Sequence, residues 1–463
     1  MTTNSPTIPN RRERLPLWFL VSNWLLVLVA FTAGVLLGRR SPGGLPEPQA
    51  TALRLVLNQI VESHVDPQDP KALLERGISS IVEGLDEYSR YIPPEESAGF
   101  DEDMTGTYEG VGLVCLPRGG DYVIRFPMAG GPAEHAGLRP GDVITAVDGK
   151  KLARIPDPER AERAGELLRG KAGTRVVLAI RREGASDFDV ELVRGSVTKP
   201  SIRWARLLDE KRGIGYARIS DFHSATASDL RRTIEDLAHD AGGSLKGLVL
   251  DLRWNGGGLL DQCVAVARLF LSSGNIVTTK RRGSVVAEQS FDAIPSACVF
   301  PDLPLAVLVN GYTASASEVL AGALQDHRRA SIVGTRTFGK GVVNTIYRWR
   351  DLAFRLKLTT ARYFTPSGRN LDRMHGKGHD ASEGGIEPDI LVEIDGDASR
   401  EIHEALETGH EVPRDLWTDV AELDRKLGIE ERRPLGPEKD RQLARAVETL
   451  LEGGGRGGGG TPR

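Results

Sequence analysis

The apolar and polar positions of this chain change rhythm several times, and each change marks a segment. Residues 15–38 carry no charge and include Trp18-Phe-Leu-Val21 and Leu25-Leu-Val-Leu-Val29. At about 1.5 Å per residue they predict one helix long enough to cross a hydrocarbon core of about 30 Å, after a polar tail at 1–14. Leu53, Leu57, Ile60 and Val61 then recur at helical spacing and predict a helical region over 41–105. From Gly106 the pattern becomes short and alternating, which predicts a β-rich domain over 106–195.

Between 196 and 395 apolar strands alternate with helical stretches. Gly247-Leu-Val-Leu-Asp-Leu-Arg253 runs into Gly256-Gly-Gly258, and Leu259–Leu271 reads as the helix that follows. Pro304-Leu-Ala-Val-Leu-Val-Asn310 is a second buried strand, followed by an Ala- and Leu-rich helix over Ser315–Asp326 and a further apolar stretch, Ala330–Gly334. Residues 396–452 turn charged and helical, at Ala398–Leu406 and Asp440–Leu451. The glycines of 453–463 supply no core and predict a disordered tail. The class is an α+β multidomain protein with an N-terminal membrane helix and a mixed α/β core.

Two residues of that core have a context that suggests chemistry. Ser315 lies at or just before a helix N-terminus, where free N–H groups can receive an oxyanion. Lys340 stands between Gly339 and Gly341, which let the backbone bend and approach closely. A serine hydroxyl is a poor nucleophile until a base takes its proton, and a lysine is that base only where desolvation holds it neutral. Taken alone, the pair also fits an ordinary N-cap and a solvated turn residue. The glycine turn at 256–258 lacks the lysine and hydroxyl of a phosphate-binding loop.

The wider stretch carries Val309-Asn310, Ser315-Ala-Ser-Glu318, Ala321-Gly-Ala-Leu-Gln-Asp326, Arg329-Ala330, Val333-Gly334 and Thr337-Phe-Gly-Lys-Gly341. With these it resembles the carboxyl-terminal processing proteases, the tail-specific serine peptidases of family S41. The resemblance implies that Ser315 is the nucleophile and Lys340 the general base. Asn255-Gly-Gly-Gly258 stands where the family usually has Asn-Pro-Gly-Gly, which implies an oxyanion hole from Gly256 or Gly257 with the amide of Ala316. Asn344 replaces a glutamine that orients the lysine in the family, and offers the same amide on a shorter arm. Asp326 matches a position sometimes grouped with the dyad, and a structural role at the helix end stays open. Thr359–Arg369 and Gly385–Ile390 resemble the closing strand and turn. Leu85-Asp-Glu-Tyr-Ser-Arg-Tyr-Ile-Pro-Pro94 is similar to the family's N-terminal region, with a role in packing or in dimerisation, so a homo-oligomer stays open.

Gly110-Val-Gly-Leu113, Gly131-Pro-Ala-Glu-His-Ala-Gly-Leu-Arg-Pro-Gly-Asp-Val-Ile144 and Val147-Asp-Gly149 resemble a PDZ domain, a β-barrel-like fold. The resemblance places the carboxylate-binding loop at Gly110, Val111, Gly112 and Leu113, and the groove helix at Asp157–Leu168. A peptide C-terminus then adds as a β-strand. A purely structural role for that turn is the alternative.

Composition narrows the rest. A formal net charge of −4 over 463 residues offers no basic excess for nucleic acid. Cys115, Cys263 and Cys298 are too few for a disulfide framework and are read as small core hydrophobes. His375 and His379 lie in a polar loop with no glutamate between them, so neither a metal nor another cofactor is expected. Arg11, Arg12 and Arg14 precede the span while Arg39 and Arg40 follow it, so charge leaves the orientation open. Family resemblance puts the body outside the cytoplasm, on a single-pass plasma-membrane anchor, with a cleaved signal peptide near Ala30 and Ala33 as the alternative. The expectation is a membrane-anchored serine endopeptidase that takes protein or peptide substrates with free C-termini. The alternatives are a catalytically silent, membrane-tethered PDZ adaptor and a peptidase indifferent to substrate tails.

Overall fold

The computed structural model describes residues 46–118, 120–155, 160–283, 288–373, 384–407, 412, 416–429 and 435–453. The expected span at 15–38, the loop bearing His375 and His379, and the glycine tail beyond Gly453 lie outside the described residues. Among the described residues no helix is long and apolar enough to cross a membrane.

The chain divides into two compact units, Met1–Ser80 and Ile81–Arg463. In the first, the helix Glu47–Ser63 forms where the spacing of Leu53, Leu57, Ile60 and Val61 predicts it, yet none of its residues is buried. Leu53, Leu57 and Val61 line an open groove with Leu74.

The second unit is organised around a six-stranded sheet in the order Ile202–Asp209, Ile214–Ile219, Gly247–Asp251, Leu305–Val309, Ala330–Gly334, Ile390–Leu391. The first pair is antiparallel and the other pairings are parallel. Parallel strands are covered on both faces and so read as continuous apolar runs, with alternate residues serving opposite cores. Leu248, Leu250, Val307 and Val309 pack with the helices Thr226–Asp240, Leu260–Arg268 and Ala316–Asp326. Val249, Ala306 and Leu308 pack on the other face, where Leu443, Ala446 and Leu450 of the helix Arg441–Gly453 close the core. The charged C-terminal stretch thus completes the layer that the sequence assigns to 196–395.

A five-stranded antiparallel sheet stands beside this core. Its spine is the long strand Leu352–Phe364, which pairs with Val342–Trp349, with Asn275–Arg281 and with the short strand Arg90–Ile92. The region expected to be PDZ-like forms a six-stranded sheet around Ile124, Ile144, Val147, Leu178 and Ile180. Its entry strand Thr107–Gly110 pairs with its exit strand Gly195–Thr198.

Candidate active site

Three neighbouring parallel strands deliver the candidate residues from their carboxyl ends, where open α/β sheets place their ligand sites. Gly247–Asp251 leads into the glycine turn, Leu305–Val309 into the turn before Ser315, and Ala330–Gly334 into the loop that carries Lys340.

Ser315 sits just before the helix Ala316–Asp326 with φ 56° and ψ −118°. A non-glycine residue in such a conformation stores about 1–3 kcal/mol and persists only where its surroundings over-determine it. They do so here. Asn310 Oδ1 accepts from the amides of Trp254 and Tyr312, both at 3.1 Å, and the Thr313 hydroxyl donates to Leu252 O at 2.9 Å. Ser315 is buried, and its side chain faces the phenol of Tyr363. Burial pushes that phenol above its ordinary range.

The strongest tie is Glu318, a fully buried carboxylate. It accepts four hydrogen bonds, from Ser315 N (2.8 Å), Lys340 N (2.8 Å), Gly339 N (2.7 Å) and Thr337 Oγ1 (2.5 Å). One side chain therefore clamps the turn of the candidate nucleophile to the loop of the candidate base. Burial raises its carboxyl above the usual range, against hydrogen bonds that favour the charged form. The signal for it was present: Ser315-x-x-Glu318 has the spacing of a capping box.

Lys340 owes its place to its neighbours. Gly339 has φ +89°, and at Gly341 a Cβ would lie 2.0 Å from Asp372 N, so neither position admits a side chain. The amine is lowered from 10.5 to about 8, first by desolvation and then by the charge of Lys357, against Glu318 and Glu87. Its Nζ lies 4.9 Å from the ring centroid of Tyr88. Among the described residues it makes no hydrogen bond to Ser315.

At the glycine turn, Gly257 has φ +106°, and a Cβ there would lie 2.9 Å from Ser315 Cβ. Its N–H donates to Asn255 Oδ1 at 2.8 Å. The amides of Gly256 and Ala316 have no acceptor among the described residues. Behind the turn, the fully buried Arg253 donates to Asp251 Oδ2 (2.7 Å), Asp440 Oδ2 (2.8 Å) and Gln442 Oε1 (3.1 Å). This ties the C-terminal helix to the glycine turn.

Two candidates are placed away from the lysine. Asp326 accepts from Ser367 N at 2.9 Å and pairs with Arg369. Burial alone would raise its carboxyl, but bonds from Thr365 and Ser367 and the charge of Arg369 hold it below the usual range. Asn344 Nδ2 donates to Thr359 Oγ1 at 3.0 Å. Cys263 is buried, with its thiol on Ala316 O at 3.0 Å, whereas Cys115 and Cys298 are only partly buried.

In the β-rich domain, Val111, Gly112 and Leu113 line a groove of about 350 Å³ with Leu168 of the helix Arg160–Leu168. Gly110 ends the entry strand beside it. Arg169, Lys199 and Arg203 bring cationic side chains to the same groove.

Comparison with known proteins bears on both regions. Residues 213–392 match Peptidase family S41 and residues 123–182 match the PDZ domain. A carboxy-terminal-processing protease of Bartonella bacilliformis is 36% identical over 340 residues, which cover 73% of this chain and 74% of that one. A probable CtpA-like serine protease of Staphylococcus haemolyticus is 33% identical over 394 residues, 83% of this chain and 74% of that one. Among solved structures, a photosystem II D1 C-terminal processing protease is 30% identical, covers 82% of this chain and 92% of its own, and has a TM-score of 0.40. The chain belongs to peptidase family S41, as a carboxy-terminal-processing serine protease with a PDZ domain.

Proposed function

We propose that this protease works through a Ser315–Lys340 dyad on protein substrates held by their C-terminal segment, from a membrane anchor at residues 15–38 with the body outside the cytoplasm. The observation that carries the dyad is the Glu318 carboxylate, which takes the backbone amides of Ser315 and Lys340 together. Desolvation supports the role of the lysine, since an amine lowered to about 8 is neutral in about a fifth of molecules at about pH 7.4, against about one in a thousand for an ordinary lysine.

Neutral Lys340 accepts the Ser315 proton as Oγ bonds to the scissile carbonyl carbon. The amides of Ala316 and Gly256 receive the oxyanion. Collapse of the adduct breaks the C–N bond, and the leaving amine takes the proton from the Lys340 ammonium. Lysine then deprotonates a water that attacks the acyl-enzyme and frees Ser315. Gly257 contributes by shape, since its own N–H is held by Asn255. Asp326 shapes the turn at Ser367–Arg369.

In the PDZ groove, Arg169, Lys199 and Arg203 suit a terminal carboxylate on a peptide added as a β-strand. The uncharged stretch at 15–38 supports the anchor.

The test is cleavage of fluorescein-labelled casein by the full chain and by Ser315→Ala, Lys340→Ala and the double variant. Each single variant loses turnover, and the double is scarcely worse, because the residues act as a unit. Retained turnover in Ser315→Ala removes the assignment. Accessibility of residues after Arg40 to external protease in intact cells tests the topology.

A further inference from the structure

The segment Asp86–Ser89 reaches the candidate site from far along the chain, and nothing in the dyad reading uses it. Its turn is built around one carboxylate. Asp86 Oδ1 accepts from the amides of Tyr88 (2.8 Å) and Ser89 (2.7 Å), and Oδ2 accepts from the Ser89 hydroxyl (2.8 Å). The same carboxylate takes the Thr359 hydroxyl at 3.0 Å, and Ser89 Oγ accepts from Thr359 N at 3.1 Å. Strand pairing of Arg90–Ile92 with Leu352–Phe364 fixes the register that makes these contacts. The Tyr88 ring is thereby aimed at Lys340, with Nζ 4.9 Å from its centroid. Asn344 joins the arrangement from the other side, since its amide donates to the hydroxyl of Thr359.

We infer that Tyr88 is a positioning residue for the lysine base: its ring face receives the ammonium formed when Lys340 takes the serine proton, and the Asp86–Ser89–Thr359–Asn344 cage holds the ring in place. The inference rests on the reading of Lys340 as the base. An aromatic face attracts a cation through its quadrupole, and the attraction grows as water is removed. The surroundings otherwise oppose the charge. Lys357, from the strand Leu352–Phe364, repels it and desolvation disfavours it, while Glu318 from the nucleophile helix and Glu87 from the ring's own turn favour it. Asp372 and Glu318 face the tyrosine itself. The ring thus offers the transient ammonium a neutral partner at a place where a carboxylate would hold it too firmly to act as a base. Asn344, one methylene short of the family's glutamine, acts on the lysine through this cage.

The test uses the full chain and two readouts. Casein cleavage is followed from pH 6 to 10 for the unaltered chain, Tyr88→Leu, Tyr88→Phe and Thr359→Val. Loss of the ring face favours the neutral amine, so in Tyr88→Leu the acid limb moves to lower pH by about 0.4 to 1.5 units. In the same variant kcat falls by about tenfold to a hundredfold while KM scarcely moves. Phenylalanine at 88 recovers both. Thr359→Val, which leaves the ring intact and cuts the link between Asn344 and Asp86, shifts the limb in the same direction. Separately, competitive labelling of Lys340 by acetic anhydride, read by mass spectrometry in a Ser315→Ala background, reports the amine without catalysis and shows the same downward shift. An unmoved limb and an unchanged labelling midpoint in Tyr88→Leu overturn the inference. So does a phenylalanine variant as impaired as the leucine one, or a gain in kcat on loss of the ring. If Lys340→Ala keeps its turnover, the base reading fails on its own, and the labelling still decides whether the ring holds the lysine.

Discussion

The Thr337 hydroxyl donates to Glu318 Oε1 at 2.5 Å, and Thr337 Oγ1 in turn accepts from Ile386 N at 2.6 Å. The threonine relays the buried carboxylate to the segment that closes the sheet. Loss of Glu318 therefore disturbs more than one loop. Glu318→Ala leaves several buried donors without an acceptor, each costing about 1–3 kcal/mol, and lowers stability by about 3 kcal/mol or more. Glu318→Gln keeps the shape but turns an amide NH2 toward donors, and loses most turnover with a smaller stability loss. Urea denaturation beside casein cleavage separates the two; wild-type turnover in the glutamine variant would show the clamp to be dispensable.

The pH profile follows from Lys340. A general base works unprotonated, so kcat rises with pH through about 8 and levels off well below the ordinary 10.5. The stability sign is opposite to that of a lysine gaining a partner. The folded-state value lies below the unfolded one, so between about 8 and 10.5 the unfolded chain binds more protons and this group makes stability rise with pH. Below that window its burial cost is fully present. Lys357→Met removes a repelling charge and moves the kinetic limb upward, opposite to the effect of Tyr88→Leu. A limb that reaches its plateau only near the ordinary lysine value argues against a buried base.

Gly257 tests the oxyanion turn. Its positive φ and the 2.9 Å approach to Ser315 Cβ leave no room for a methyl group. Gly257→Ala displaces the nucleophile turn and lowers kcat by about a hundredfold or more, with peptide binding to the PDZ groove retained. Calorimetric titration of a C-terminal peptide beside kinetics checks both halves.

Asp440 tests the C-terminal helix. It shares Arg253 with Asp251, and all three side chains are buried. Asp440→Ala leaves a buried guanidinium short of one partner and lowers stability by about 3 kcal/mol. Loss of activity without loss of stability would show that the helix serves the site by another route.

Recognition of the tail is tested by the substrate itself. Under the proposed reading the substrate carboxylate shares Arg169, Lys199 and Arg203 with Glu102, Asp103 and Glu407, so amidation of the C-terminus raises KM while kcat at saturation holds. Equal KM for acid and amide demotes the groove to a structural module.

Local pattern carried much of this into the sequence. The parallel strands at Gly247–Asp251 and Leu305–Val309 are legible because both faces are covered, which leaves unbroken apolar runs. The placement of Ser315 is legible because an Ala- and Leu-rich helix begins directly after it. Partners distant in sequence are not legible. Nothing in Tyr88 or Asp86 announces Lys340 and Thr359, which only the pairing of Arg90–Ile92 with the long strand brings near. The shorter arm of Asn344 suggests a weaker version of one contact, whereas the side chain meets a threonine. Charge misleads in the last helix, where Leu443, Ala446 and Leu450 form a buried stripe under a polar surface.

The pairing of Thr107–Gly110 with Gly195–Thr198 makes the PDZ domain an inserted module on a ribbon stalk. Thr107 and Thr198 lie opposite each other, one strand spacing apart at about 5 Å, so the whole insertion is excisable behind a tight turn without parting the peptidase sheet. For the same reason its entry and exit cannot swing separately. Motion that a bound tail imparts reaches the peptidase through this root, between Gly106 and Lys199, whose amide donates to Gly106 O at 2.7 Å, and through Arg125, which holds Asp424 of the helix Trp417–Leu427 at 2.8 Å.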